Sequence, residues 1–267
     1  MNDESGSTLP LSVAIICCNS ERTIERTLAS VADFAREIIC IDSGSTDSTL
    51  DICRRYGATC HYEPWEGHKK QKQHAIERCT QPWILALDSD ESLEPELQQS
   101  VVNALQKDDP SIVGYRLNRK VYYKGKLLNH AWQPELRLRL IRRGKGRWGG
   151  YDPHDRMELA DSKGKVGLLQ GDLRHDSFAD IFDYLRKQIE HSRAAASSYR
   201  QMGRSTGPLR LITSPCGAWL KQIILKSAWR DGWRGWAAAS GTAVAALMKH
   251  LILLEQTNLA REEKNRD

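Results

Sequence analysis

The sequence lacks several features that mark other classes of protein. No C-x-x-C pair occurs among its seven cysteines, so the spacing predicts no structural zinc site, and the odd count favours a reducing compartment. Only 14 uncharged residues separate Arg234 from Lys249, fewer than the ~20 that a membrane-spanning helix needs. The polar, acidic start MNDESGSTLP does not have the form of a signal peptide. With 9 prolines in 267 residues, the composition excludes a collagen-like chain.

Acidic and basic side chains are separated along the chain, although the net charge is only +5. Residues 1–115 contain 19 acidic and 10 basic groups, whereas residues 116–150 contain eleven basic groups and one acid, Glu135. Residues 200–267 contain eleven basic and five acidic groups. This segregation favours an anionic partner (phosphate, acidic lipid or nucleic acid), the alternative being a solvated charged surface. Because no nucleic-acid-binding signature accompanies the basic segment, we expect no nucleic acid partner.

Short apolar runs alternate with stretches of helical spacing in the first hundred residues. Four of these runs are predicted to be buried strands: Leu11–Cys17, Glu37–Ile41, Ala58–Tyr62 and Trp83–Leu87. Strands and helices that alternate with short links predict an α/β fold, in which a mostly parallel sheet is covered on both faces. Such sheets bind ligands at the carboxyl ends of their strands, so the polar residues that follow each strand form the candidate site.

Polar and acidic residues follow three of the predicted strands. They are Asn19 and Glu21 after the first strand, Asp42 after the second, and Asp88-Ser-Asp90-Glu91 after the fourth. Two carboxylates separated by one residue can hold Mg²⁺ or Mn²⁺ together with phosphate oxygens of a substrate. Such a cation neutralises the charge on a diphosphate leaving group. The alternative is a solvated loop before a helix that begins at Pro95.

Taken in order, these motifs resemble glycosyltransferase family 2 with the GT-A fold. The resemblance is carried by Asn19-x-Glu21, IDSGSTDST at 41–49, GHKKQKQHA at 67–75 and WILALDSDE at 83–91. It covers residues 10–95 closely and 110–200 loosely, and it is nearest to the subgroup that adds sugars, typically β-glucose, to the inner core of lipopolysaccharide. The resemblance implies a Rossmann-like, mostly parallel sheet with a C-terminal amphipathic helical extension.

A domain organisation follows from this resemblance and from the charge pattern. We expect the glycosyltransferase domain at residues 10–200, with a nucleotide-sugar-binding half at 10–107 and an acceptor half at 108–200. We expect an amphipathic helical tail that associates with the membrane at residues 208–260.

The resemblance assigns roles to individual residues. The donor-binding residues that it implies are Asn19, Glu21, Asp42, Lys72 and Asp88. Asp42 matches the acid that meets the base and ribose, and Lys72 matches a basic residue that holds the nucleotide, followed here by Gln73 where the family usually has asparagine. Asp90 matches the main ligand of a divalent cation (Mg²⁺ or Mn²⁺), with Asp88 and His175 as further metal ligands. For His175 a structural role is the open alternative.

An inverting sugar transfer needs one carboxylate to remove a proton from the acceptor hydroxyl. The segment Arg147–Asp155 (RWGGYDPHD) resembles a family stretch that ends in His-Glu, with aspartate at the last position here. The resemblance therefore implies Asp155 as the catalytic base and His154 as a residue that orients it, with Asp152 as the fallback. A turn without a catalytic role is the alternative, because two glycines and a proline make this segment a loop.

Two basic regions remain. LRLRLIRR at 136–143 alternates apolar and basic residues, which predicts a strand with one cationic face that meets the donor diphosphate or a phosphorylated acceptor. In the tail, three tryptophans at i, i+4 and i+7 would share one helix face beside a basic stripe: Trp229, Trp233, Trp236, with Lys226, Arg230 and Arg234. This pattern suits the headgroup region of an anionic membrane, although Gly232 and Gly235 should kink or break the helix. Packing of the tryptophans into a core is the alternative.

The sequence thus predicts a metal-dependent, inverting glycosyltransferase at the cytoplasmic face of the inner membrane. Its donor would be a nucleotide sugar, with UDP-glucose the first candidate, and its acceptor a lipid-linked saccharide such as the lipopolysaccharide core. The alternatives are a polyprenyl-phosphate or other cell-envelope polysaccharide glycosyltransferase, or a non-catalytic membrane adaptor. The adaptor hypothesis does not explain why acidic residues stand at the ends of the strands.

Overall fold

The structure of the protein is a computed structural model, and it describes residues 8–151, 154–161 and 164–264. Its strands are β1 (Leu9–Cys17), β2 (Ala35–Asp42), β3 (Thr59–Tyr62), β4 (Trp83–Asp88), β5 (Glu91–Leu93), β6 (Ile112–Tyr123), β7 (Lys126–Leu127), β8 (Leu136–Arg142), β9 (Gly146–Tyr151), β10 (His154–Leu159) and β11 (Lys165–His175). Its α-helices are α1 (Ile24–Ala29), α2 (Thr49–Arg55), α3 (His68–Glu77), α4 (Pro95–Lys107), α5 (Ile181–Gln201), α6 (Pro208–Leu220) and α7 (Trp233–Lys264). A π-helical turn at Lys221–Leu225 and a 3-10 turn at Ala228–Asp231 lie between α6 and α7.

The main sheet has the strand order β3-β2-β1-β4-β8-β6-β11-β5, with β7 paired to β6. Strands β3, β2, β1 and β4 run parallel to one another, and β11 runs parallel to β6. Strand β8 runs antiparallel to β4 and β6, and β5 runs antiparallel to β11. The predicted α/β fold with a mostly parallel sheet is confirmed, and the four predicted strands match β1–β4 within two residues at each end.

Helices cover both faces of the central strands. Ile15 of β1 belongs to one apolar cluster with Leu28 of α1 and Leu97 of α4, and all three side chains are fully buried. The next residue, Ile16, faces the other side and belongs to a second cluster with Ile76 of α3. Strands that are buried on both faces have near-continuous apolar sequences. This is why the sequence alone located them.

The parallel register brings the predicted site residues to one edge of the sheet. Cys17 of β1 pairs with Asp42 of β2, and the neighbouring Ile16 pairs with Asp88 of β4. Both aspartates therefore stand at the carboxyl ends of adjacent strands, where open α/β sheets bind their ligands.

The described residues form two compact units. The first comprises the described parts of Met1–Val121, Glu135–Gly150 and Asp155–Asp176. It contains the strands that carry the strand-end acids. The second comprises the described parts of Tyr122–Pro134, Tyr151–His154 and Ser177–Asp267, and it contains α5, α6 and α7.

In the second unit, the buried carboxylate of Asp231 holds a loop that is distant in sequence. Its Oδ1 accepts a hydrogen bond from the backbone N–H of Asn129 at 3.0 Å. Its Oδ2 accepts from the backbone N–H groups of His130 and Ala131, at 3.0 and 2.8 Å. The turn between α6 and α7 is thereby fixed to the segment around residues 129–131.

The tryptophan-rich part of the tail is not one helix. The 3-10 turn that contains Trp229 ends at Gly232, whose φ of +65° breaks the helix, and α7 begins at Trp233. The predicted break at Gly232 is confirmed, but the prediction of a single helix face with tryptophans at i, i+4 and i+7 is wrong. A β-carbon at Gly235 would lie 1.7 Å from the carbonyl oxygen of Ala228, so the turn and α7 approach too closely for any side chain there.

Helix α7 continues through Lys249 without interruption. By length and composition alone, Trp233–Ala260 is sufficient to cross a membrane. The charge at Lys249 therefore does not exclude a span, contrary to the sequence-based expectation. Within its own unit α7 also packs against α5, because Tyr184 donates a hydrogen bond to the carbonyl oxygen of Ala238 at 3.2 Å.

Candidate active site

The D-x-D sequence lies in the turn between β4 and β5. Asp88 is the last residue of β4, and Asp90 stands immediately before Glu91, the first residue of β5. Because β5 pairs with β11, His175 lies opposite Glu91, and its Nε2 is 3.5 Å from Oδ1 of Asp90. The Nδ1 atom of His175 is buried and has no hydrogen-bond partner among the described residues. Two predicted metal ligands thus come together from distant parts of the chain.

A buried network of ion pairs surrounds Asp88. Its Oδ1 lies 2.8 Å from Nζ of Lys72, and its Oδ2 lies 3.2 Å from Nη2 of Arg139. Arg139 also contacts Glu91 at 2.7 Å, and Glu91, with 0% exposure, contacts a second arginine, Arg119, at 3.1 Å. Burial opposes the ionisation of Asp88, but Lys72 and Arg139 outweigh it and hold the pKa of Asp88 well below its ordinary value. Asp88 is therefore a carboxylate at neutral pH.

Lys72 connects the predicted base to this network. Its Nζ lies 2.9 Å from Oδ2 of Asp155, and both side chains are 9% exposed. The same atom lies 4.8 Å from the ring centroid of Trp148, a distance typical of a cation–π contact. Gln73, at the position of the family's usual asparagine, accepts a hydrogen bond from the backbone N–H of Trp148 at 2.9 Å. Lys72 and Gln73 thus hold Trp148 and Asp155 beside Asp88.

Asp42 shapes the loop that follows β2. It is buried, and its Oδ2 accepts hydrogen bonds from the backbone N–H groups of Gly44 and Ser45, each at 2.9 Å. Gly44 has a φ of +102°, which glycine adopts at little cost because it has no side chain. The Asp-Ser-Gly-Ser sequence is therefore a tight turn closed by its own aspartate.

Asn19 and Glu21 contact the same loop. Oδ1 of Asn19 accepts a hydrogen bond from the backbone N–H of Thr46 at 2.8 Å. Oε2 of Glu21 accepts from the N–H of Ser48 at 3.3 Å, and the N–H of Glu21 donates to Oδ2 of Asp47 at 3.1 Å. These contacts join the end of β1 to the loop after β2. Three of the predicted donor-binding residues are thus neighbours.

A cavity of about 300 Å³ opens beside Asp42. Its lining residues are Asp42, Leu50, Arg54, Ala58, Cys60, His61 and Tyr62. Tyr62 pairs with Asp42 in the β2–β3 register, and its side chain is 70% exposed. The cavity therefore offers an aromatic ring, an acid and an arginine to a small ligand.

The sequence did not predict the ion pairs that join Glu91, Arg119 and Arg139 beside Asp88. The alternating LRLRLIRR pattern correctly predicts a strand, β8, but the side chain of Arg139 is buried between Asp88 and Glu91 and is not open to a diphosphate. Glu91, one of the two partners of Arg139, lies 48 residues away in sequence, so no local pattern could predict this contact. The available signal was Glu91 itself, an acid that directly follows the D-x-D and begins a strand.

Two predicted residues fall outside the described part of the chain. Asp152, the fallback base, is among the residues that the structure does not describe, and the side chain of His154 is likewise outside it. Of the predicted acid–base residues, Asp155 is the one whose side chain is described.

The acids of the D-x-D turn fit a divalent cation. Neighbouring ligands around Mg²⁺, with bonds of about 2.1 Å, lie roughly 3 Å apart, close to the 3.5 Å between Asp90 and His175. Mg²⁺ in proteins uses one or two carboxylates and completes its shell with water and substrate phosphate oxygens. Asp88 is already paired with two cationic side chains. Asp90, which lies 3.5 Å from His175, is the acid of this turn that would bind a cation directly.

Two known glycosyltransferases are similar to this chain in sequence. The lipopolysaccharide core biosynthesis glycosyltransferase LpsC of Rhizobium meliloti (strain 1021) is 34% identical to this chain over 252 residues, covering 90% of both proteins. A glycosyltransferase of Rickettsia typhi (strain ATCC VR-144 / Wilmington) is 26% identical over 96% of this chain and 89% of its own length.

A solved structure shows the same fold over nearly the whole chain. Mannosyltransferase PcManGT from Pyrobaculum calidifontis, determined in complex with GDP-Man and Mn²⁺, aligns with a TM-score of 0.52 at 14% identity, covering 92% of this chain and 88% of its own. The family model described as glycosyl transferase family 2 matches residues 12–158. The fold is therefore GT-A, and the chain belongs to glycosyltransferase family 2.

Proposed function

We propose that this glycosyltransferase transfers a sugar, with inversion at the anomeric carbon, from a nucleotide-sugar donor to the core saccharide of lipopolysaccharide. The observation that carries the chemistry is the Lys72 bridge, which holds the carboxylates of Asp88 and Asp155 within 3 Å of one ammonium group. The 34% identity with LpsC over nine-tenths of both chains supports the class of acceptor.

The donor nucleotide binds in the cavity beside Asp42. Tyr62, exposed at the cavity wall, stacks on the base, and Asp42 meets the ribose at the end of β2. Arg54, in the same lining, offers a cation to the nucleotide. We take UDP-glucose as the first donor to test.

The diphosphate lies at the D-x-D turn. Mg²⁺ or Mn²⁺, when bound there, neutralises the charge that develops on the leaving diphosphate. Asp90 and His175 would hold this cation, with Asp88 beside them. Lys72 and Arg139 keep Asp88 ionised while the donor binds. Glu91 holds Asp88 in position, because it accepts a hydrogen bond from the backbone N–H of Asp88 and contacts Arg139.

Asp155 is the base. It accepts the proton of the acceptor hydroxyl as that oxygen attacks the anomeric carbon from the face opposite the diphosphate. Lys72 positions Asp155, and a bound diphosphate competes for the same ammonium group, which leaves Asp155 free to accept the proton.

The second unit rests on the cytoplasmic face of an anionic membrane. Several of its apolar side chains are exposed rather than in a core: Leu209 (73%), Ile212 (67%), Ile224 (62%), Leu225 (77%), Trp229 (55%), Trp233 (56%) and Trp236 (46%). Basic residues, including Lys221 and Arg230, stand among them and are also exposed. Apolar and basic groups that share a surface suit the headgroup region of such a membrane, where a lipid-linked acceptor is presented.

Release of UDP from UDP-glucose, with Mg²⁺ or Mn²⁺ and isolated core lipopolysaccharide, tests the proposal. Asp155→Asn should retain donor binding and lose transfer, whereas Asp90→Ala should lose donor binding that depends on the cation. The matched control is Asp33→Asn, because Asp33 is an exposed aspartate of the unit that also contains Asp90 and Asp155. This variant should transfer the sugar normally. Unchanged transfer by Asp155→Asn would remove it as the base. Transfer only to a polyprenyl phosphate would overturn the proposed acceptor.

A further inference from the structure

Three cysteines meet beside the nucleotide cavity. They are Cys40 on β2, Cys53 on α2 and Cys60 on β3, and their sulfur atoms all lie within 4.8 Å of one another. Cys40 and Cys60 are directly opposite each other in the β2–β3 register. The sulfur atoms of Cys53 and Cys40 are 3.8 Å apart. The three thiols thus form a compact triangle, which the sequence did not predict because it contains no C-x-x-C pair.

The dimensions of this triangle match those of a metal site. With zinc–sulfur bonds of about 2.3 Å, two thiolates of a tetrahedral zinc site are roughly 3.8 Å apart. The observed distance between Cys53 and Cys40 already has this value. The third sulfur needs to move by roughly 1 Å at most to complete the same set.

The surroundings provide both a dry site and a route to it. Cys40 and Cys53 are completely buried, so bulk water does not compete for their sulfur atoms. Cys60 is only partly buried and lines the cavity beside Asp42, so an incoming cation reaches this thiol first. A dry ligand set with an entry path is what a metal site requires.

Charge in this region also favours a cation held by thiolates. Three thiolates and one divalent cation have a net charge of −1, and Arg54 lines the same cavity.

We propose that Cys40, Cys53 and Cys60 form a binding site for one soft divalent cation, with Zn²⁺ as the prototype. Thiolates select such cations over Mg²⁺ and Mn²⁺, so this site differs in chemistry from the oxygen-rich D-x-D turn. Binding replaces three thiol protons, which pass to the solvent, with one cation. The bound cation links β2, α2 and β3 and so fixes one wall of the nucleotide cavity.

Titration of the reduced, metal-free, full-length protein with Cd²⁺ tests the site, with excess Mg²⁺ present to occupy oxygen ligands. We expect the ultraviolet charge-transfer absorption of cadmium thiolate to rise to one equivalent per chain, and Zn²⁺ to abolish it by displacement. The melting temperature should rise with the same stoichiometry. A folded, reduced protein that gives no such absorption would overturn the proposal and leave three ordinary core thiols.

Variants assign the absorption to these residues. Cys53→Ala and Cys60→Ser should each weaken Cd²⁺ binding by about tenfold or more. Cys60 is partly exposed, so Cys60→Ser decides the matter if Cys53→Ala does not fold. Cys18→Ser and Cys216→Ser remove exposed thiols outside the triangle and should leave binding unchanged, as should Asp90→Ala. Full Cd²⁺ affinity in Cys60→Ser would place the cation elsewhere.

Discussion

Lys72 is a single cation shared by two carboxylates that come from different parts of the chain. Asp88 ends the parallel strand β4, whereas Asp155 belongs to β10, and each lies within 3 Å of the same ammonium group. Removing one partner from a buried ion pair leaves an uncompensated charge, which costs more than the pair itself contributes. The residue thus supports stability as well as the proposed chemistry.

We therefore expect Lys72→Met to lower the free energy of unfolding by about 3 kcal/mol at neutral pH. Arg139 remains beside Asp88 and limits the loss, but Asp155 loses its cation. Urea denaturation measures the effect. Lys70→Met, which breaks an exposed pair with Glu66, is the matched control and should change stability by less than about 1 kcal/mol. Equal stability of both variants would contradict the proposed burial of charge.

Glu135 gives the protein a specific sensitivity to acid. Burial alone would raise its pKa, but Arg119 and Arg137 lower the pKa from 4.5 to about 2. A group whose pKa is depressed by folding stabilises the protein above the unfolded pKa, and this contribution is lost as the pH falls toward the folded pKa. The stabilisation by Glu135 is therefore complete above pH 4.5 and disappears between pH 4.5 and about 2.

Glu135→Gln should accordingly be less stable than the wild type at pH 6, and the difference should shrink as the pH falls from 4.5 toward 2. Chemical denaturation at a series of pH values measures this convergence. Glu96→Gln, an exposed residue at the start of α4, should run parallel to the wild type. A constant difference between Glu135→Gln and wild type across this range would contradict the assignment.

At the scale of elements, the short strand β5 positions the end of the D-x-D turn, and β11 holds β5 in place. A glycine permits the close approach of β11 to α4: a β-carbon on Gly171 would lie 2.4 Å from the backbone nitrogen of Leu97. Gly171 also has a φ of +85°. The position of His175 beside Asp90 therefore depends on a glycine four residues earlier in the same strand.

Gly171→Ala should lower the free energy of unfolding by about 3 kcal/mol, because it adds a clash with backbone to an unfavourable φ. Gly57→Ala separates the two causes, since Gly57 has a φ of +70° but no atom near its missing side chain. The control should lose only about 1 kcal/mol in the same denaturation experiment. Similar losses in both variants would show that the close approach to α4 is unimportant.

The parallel and antiparallel parts of the sheet differ in how far the sequence predicts them. Strands β1, β2 and β4 were found because apolar runs such as Leu11–Cys17 are buried on both faces. The third predicted strand also forms, as β3, but it lies at the edge of the sheet and is not buried as predicted. Strand β5 is three residues long and begins with the buried, charged Glu91, which hydropathy assigns to the surface. Its burial makes physical sense only with Arg119 and Arg139, whose contact with it arises through the fold.

The same limit applies to the tail. The positive φ of Gly232 was within reach of the sequence, since glycine is the residue that adopts it readily. The displacement of Trp229 from the face of Trp233 follows from the 3-10 turn before Gly232, and helical periodicity cannot anticipate such a turn.

At the scale of the whole molecule, the exposed apolar surface of the second unit should bind anionic membranes. Leu225→Ala combined with Trp229→Ala removes two side chains that are 77% and 55% exposed, so the free energy of unfolding should change little. Cosedimentation with phosphatidylglycerol vesicles should fall several-fold, because the variant loses apolar area that the membrane would bury. Trp65→Ala removes a tryptophan of similar exposure (52%) from the first unit and should bind vesicles like the wild type. Unchanged cosedimentation of the double variant would refute the membrane surface.

Asp231 makes the tail necessary for the fold of another part of the chain. Three consecutive backbone N–H groups, from residue 129 to 131, donate to this one carboxylate. A chain cut before residue 231 loses the acceptor for all three, and leaving the buried donor of Ala131 unpaired costs about 1–3 kcal/mol. A shortened protein would thus fail through its damaged loop, whatever the tail does at a membrane. For the evolution of this protein, substitutions on the outer face of the tail should therefore be tolerated far more easily than loss of the tail.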